Sequence, residues 1–79
     1  MPNHLVPAQI RAARGALDWS MLDLAAAASV SISTVKRMEA AEAQPVSTDV
    51  HAAVQAALEA AGVRFLDDAA EGWGLRLKR

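Results

Sequence analysis

The sequence predicts a mainly α domain of four to five helices, followed by a C-terminal β-hairpin. Three observations carry this expectation. Apolar residues recur at helical spacing as far as Ala61. Serines stand where several of those helices would begin. After Gly62 the pattern changes to the alternation of strands.

The elements follow in order. Residues 1–6 read as a short arm. Pro7 opens the first helix, 7–17, at a position where a missing N–H does no harm. Ile10, Ala13 and Leu17 supply its apolar stripe, and Gly15 weakens it by about 1 kcal/mol relative to alanine. Arg11 and Arg14 project from other sides of this helix and are expected to serve solubility. Ser20 with Asp23 three residues on predicts a capped start to a helix over 20–28, with Leu24, Ala25 and Ala28 facing inward. Ser31 caps again, and Val35 and Met38 continue an apolar face over 31–40. "EAQPVS" reads as a loop. Ser47 or Thr48 then caps a helix over 48–61, with Asp49 in the first turn, where the dipole favours an acid. Val50, Val54, Ala57, Leu58 and Ala61 form its stripe, and Gly62 stands where the chain leaves the helix. "VRFL" and "LRLK" alternate as strands over 63–66 and 75–78, joined by the turn-forming "DDAAEGWG".

Bulk properties restrict the function classes. With 79 residues, a single marginal domain is expected. The absence of cysteine removes disulfides and thiolate metal sites as staples. No apolar run is long enough to span a bilayer and no basic-then-apolar signal opens the chain, so a soluble, cytoplasmic protein with no membrane contact is expected. A net charge of −1 argues against binding polyanions by bulk charge, so any nucleic-acid function needs local placement of its eight lysines and arginines, or a dimer. His4 and His51 lack ligand spacing, and no metal or cofactor is expected. Asp67, Asp68 and Glu71 lack an accompanying nucleophile, base or phosphate loop, which argues against an enzyme. Trp19 reads as a lid between the first two helices, and Trp73 as a cover for the core or for a partner.

Two short helices separated by a tight turn form a helix-turn-helix candidate. The arrangement needs a small residue where the helices cross, and Ala25 is there. It needs a turn residue tolerant of left-handed backbone, and Ser29 occupies that place. Leu24, Ala28, Val30, Val35 and Met38 fall where both helices must be locked. Ser31, Ser33, Thr34, Lys36 and Arg37 fall on the outer side of the second helix.

"WSMLDLAAAASVSISTVKRMEA" resembles the XRE, or Cro/phage-repressor, type of helix-turn-helix. The matching residues are Trp19, Ser20, Leu24, Ala25, Ala28, Val30, Ser31, Thr34, Val35, Met38 and Glu39. "QIRAARGALDWS" is similar to that family's first helix, "STDVHAAVQAALEAAGV" to its fourth, and the tail "GVRFLDDAAEGWGLRLKR" to the end of small single-domain members. The resemblance implies a phage-repressor-like DNA-binding domain over 1–62 and a hairpin over 63–79 that serves dimerisation. Three positions depart from the pattern. Met21 stands where many members carry a glutamine that touches the DNA backbone. Ser29 replaces the usual turn glycine. Ile32 cannot hydrogen-bond a base edge but can pack on a thymine methyl.

The expected function is a sequence-specific transcriptional regulator, a repressor acting as a homodimer on double-stranded DNA near its own gene. The DNA-binding candidates are Ser20, Met21, Ser31, Ile32, Ser33, Thr34, Lys36 and Arg37. The dimer-interface candidates are Val63, Phe65, Trp73, Leu75 and Leu77. The alternative is a protein-binding module of the same fold, an antitoxin or antiactivator that masks a partner protein; the apolar Met21 and Ile32 favour it. A purely structural oligomerisation unit is the third reading.

Overall fold

A computed structural model describes residues 5–40, 46–68 and 72–77. They form a small, mainly α domain of four helices with a C-terminal strand region. The order is α1 (Pro7–Ala16), α2 (Met21–Ala28), α3 (Ile32–Glu39), α4 (Thr48–Ala60), β1 (Val63–Asp68) and β2 (Gly72–Leu77). α1 lies against α3, α2 packs on both α3 and α4, β1 lies against α4, and β2 lies against α1.

Each helix starts for a local reason. Pro7 occupies the first turn of α1, and Gln9 Oε1 reaches back to accept the Val6 N–H at 2.8 Å. Ser20 and Asp23 form a reciprocal box at the head of α2: Asp23 N–H donates to Ser20 Oγ at 3.0 Å, and Ser20 N–H donates to Asp23 Oδ2 at 2.9 Å. Ser31 Oγ accepts from Thr34 N–H at 3.1 Å, and Ser47 Oγ accepts from Val50 N–H at 3.2 Å. Ser47, rather than Thr48, is therefore the cap of α4.

Among the described residues, two helix ends use left-handed backbone without glycine. After α1, Asp18 has φ 58°; its N–H donates to Gly15 O and Trp19 N–H donates to Arg14 O. After α2, Ser29 has φ 57°; its N–H donates to Ala26 O and Val30 N–H donates to Ala25 O. Both follow the bonding pattern in which one left-handed residue satisfies two terminal carbonyls. After α4 a glycine, Gly62 with φ 110°, takes this place.

The core is built from Leu5, Ile10, Ala13, Leu24, Ala25, Ala28, Val35, Met38, Val54, Leu58, Val63 and Phe65. The small side chains of Ala25 and Ala28 lie buried on α2, the helix that meets both α3 and α4, and let the backbones approach closely. Leu17, Trp19, Met21, Val30 and Leu77 pack around this centre, half-buried. Leu5 corrects the reading of residues 1–6 as an arm: it is buried, and only residues 1–4 lie outside the described residues.

The strands run further than the expected 63–66 and 75–78. β1 pairs antiparallel with β2 from Val63↔Leu77 through Phe65↔Leu75 to Asp68↔Gly72. Gly72 and Gly74, read from sequence as loop residues, sit within the ladder opposite Asp68 and Leu66. Backbone pairing here overrides the preference of glycine for turns. Residues 69–71, Glu71 among them, and residues 78–79 lie outside the described residues, as does the "EAQP" part of the loop before α4. Among the described residues no helix is long and apolar enough to cross a membrane.

Candidate functional site

α2, Ser29 and α3 bring together most of the residues singled out from the sequence. On α3, Val35, Met38 and Glu39 are buried, while Ile32, Ser33, Lys36 and Arg37 are exposed. Ile32 and Lys36 stand four residues apart, as do Ser33 and Arg37, so the four form one contiguous outward face. Among the described residues the only ion pair lies elsewhere, between Arg14 and Glu39, and leaves Lys36 and Arg37 on this face without an acidic partner.

The remaining candidates divide. Ser20 is exposed, but its hydroxyl and N–H are both engaged with Asp23. Ser31 Oγ, besides capping α3, shares a hydrogen bond of 2.9 Å with Thr34 Oγ1. These two hydroxyls hold the helix start and are committed to each other, and Thr34 is half-buried. Met21 is half-buried against the core, and this packing accounts for a methionine at that position.

Of the interface candidates, Val63 and Phe65 need correction. They are only 3% and 4% exposed, inside the chain's own core, so neither side chain offers a surface to a second copy. The inward side of the strand pair is used by α1 and α4. Leu77 is half-buried against the same core. The side chains of Trp73 and Leu75 lie outside the described residues.

Two features were missed in the sequence. The first is a polar tie between α1 and α3. Arg14 Nε and Nη2 each donate to Glu39, to Oε2 and Oε1, both at 2.9 Å. Arg14 Nη1 donates to Trp19 O at 3.0 Å, and Arg11 Nη1 donates to Glu39 O at 2.6 Å. The side chain of Glu39 is 1% exposed and that of Arg14 21%. The hydrogen bond to Glu39 holds the Arg14 guanidinium above its ordinary value, against the opposing effect of burial, so Arg14 stays charged at any working pH. Both arginines therefore have structural work beyond the solubility expected of them. The available signal was Glu39 itself, a charge four residues after Val35 on the apolar side of α3, which demands a buried partner. The second missed feature is Leu22, which is 64% exposed on α2. Its only signal was a large apolar residue two positions after the cap Ser20, off the inward stripe.

His51 is half-buried on α4, and His4 lies outside the described residues. Among the described residues no group of three or more His, Cys, Asp or Glu could hold a metal ion. No protein-family model matches the chain, and no significant match is found among curated proteins.

Proposed function

We propose that the protein is a sequence-specific DNA-binding regulator in which α2, Ser29 and α3 act as a helix-turn-helix and α3 enters the major groove. One observation carries this reading: α3 leaves a left-handed turn with Ser33, Lys36 and Arg37 exposed together on one face, while Val35, Met38 and Glu39 fix its other face to the domain. A helix held rigidly from behind, showing hydroxyl and guanidinium groups in front, suits the base edges of a major groove. Arg37 and Ser33 are assigned to bases and Lys36 to phosphate. The modest charge of one chain fits action as a homodimer, with two α3 helices about 34 Å apart on one side of the duplex and repression of a promoter near its own gene. In this reading β1 and β2 form a hairpin, and its outer backbone edges, rather than Val63 and Phe65, join the two copies.

A second reading rests on a specific observation. Leu22 and Ile32 are exposed by 64% and 38% on the same two helices. Exposed apolar side chains such as these suit a protein partner that the domain masks, as an antitoxin or antiactivator would. Titration of the DNA upstream of the gene at two salt concentrations separates the readings. Sequence-selective binding that weakens as salt rises supports the regulator. No binding to that DNA, together with a stable protein complex on the α2–α3 face, supports the masking module.

A further inference from the structure

Ile32 is the one apolar residue on the outward face of α3. It holds the first helical position, directly after the cap Ser31, and is 38% exposed. The hydroxyls of Ser31 and Thr34 are turned to each other. From its N-terminal end the face therefore offers an apolar branch first, then the hydroxyl of Ser33, then the cations of Lys36 and Arg37. An isoleucine neither donates nor accepts a hydrogen bond, so it gains nothing from a phosphate or from the polar edge of a purine. The apolar group on a base edge in the major groove is the methyl at C5 of a pyrimidine, carried by thymine. The methyl of 5-methylcytosine is chemically the same group at the same place.

We infer that Ile32 reads a pyrimidine C5 methyl group, so that each half-site bound by α3 contains a methylated pyrimidine near the base assigned to Arg37. This rests on the DNA-binding reading above and adds to it the base class at one position. The methyl contact supplies selectivity where no hydrogen bond is available, and its loss leaves the phosphate contacts intact.

The test uses the whole chain and a pool of random DNA duplexes, from which bound sequences are selected. In the selected duplex each thymine is replaced in turn by deoxyuridine, which lacks only the methyl, and affinity is read by fluorescence anisotropy. The expected result is one thymine per half-site whose replacement weakens binding about fourfold per half-site, the loss of one buried methyl-sized group. Ile32→Ala stays folded by circular dichroism, binds more weakly, and no longer distinguishes thymine from uracil at that position. Cytosine and 5-methylcytosine placed there separate the two sources of the methyl. A gain for the methylated base over cytosine marks the methyl as the group read, and no gain overturns the assignment. Binding that is indifferent to every deoxyuridine, or equally sensitive in Ile32→Ala, overturns the inference while leaving the DNA-binding reading in place. Selection of no duplex at all overturns both.

Discussion

Arg14 holds Glu39 through two parallel hydrogen bonds of 2.9 Å, although the residues are 25 positions apart in the chain. The acid is enclosed and the base is partly open to water. Replacing Arg14 strands a carboxylate in the interior. Arg14→Ala is expected to cost about 3–5 kcal/mol in urea unfolding, the range for one half of a buried pair. Arg11→Ala removes only a bond to the Glu39 carbonyl and is expected to cost about 1 kcal/mol. Equal losses from the two variants would show that the carboxylate is not buried as described.

Backbone strain at the ends of α1 and α2 gives a prediction of opposite sign. Asp18 and Ser29 both carry left-handed backbone that glycine adopts more readily. Asp18→Gly and Ser29→Gly are each expected to raise stability by up to about 1 kcal/mol. Ser29→Val, β-branched at the same φ, is expected to lower it by about 1–2 kcal/mol. Thermal unfolding of the three variants provides the check, and the glycine variants should melt above the parent.

Gly15 tests the reverse case. It lies near the end of α1, exposed, and a Cβ built there meets nothing within 4 Å. Gly15→Ala is expected to stabilise by up to about 1 kcal/mol, through restriction of the unfolded chain and better helix propensity. A loss of stability would mean that the space around Gly15 is occupied.

On the outward face of α3, folding and binding should separate. Ser33→Ala, Lys36→Ala and Arg37→Ala leave the buried side of the helix untouched and are expected to keep the parent's circular dichroism. On upstream DNA, loss of a base contact at Ser33 or Arg37 should cost about 1–3 kcal/mol per site and relax sequence preference. Lys36→Ala should weaken all sequences alike and lower the slope of log affinity against log salt by about one unit per protomer. Parent-like binding by all three variants would remove this face as the reader and favour the masking reading.

What could be read from the sequence was local. Ser20, Ser31 and Ser47 announce helix starts because each serves a backbone N–H three residues on, and Ser29 falls where the turn needs left-handed backbone. Helical periodicity placed Leu24, Val35, Val54 and Leu58 inward. The outward placement of Ser33, Lys36 and Arg37 followed from the same periodicity. What stayed hidden was non-local. Nothing near Arg14 in sequence reveals that its partner stands on α3. Leu5 precedes the first helical repeat, so no period marks it as core. Gly72 and Gly74 are turn-formers by type and strand residues by pairing. Leu22 is exposed although its composition suggests burial.

The tie between α1 and α3 also has a consequence for how the molecule comes apart. It closes a loop that contains the whole of α2 and α3, and Arg14 fastens that loop a second time at Trp19 O. Loss of the Arg14 side chain releases Glu39 at the end of α3 and the Trp19 carbonyl just before α2 together. α2 and α3 thus belong to one cooperative opening unit hinged on α1. In native-state hydrogen exchange, amides hydrogen-bonded within α2 and α3 should share one opening free energy, and Arg14→Ala should lower it for both helices together.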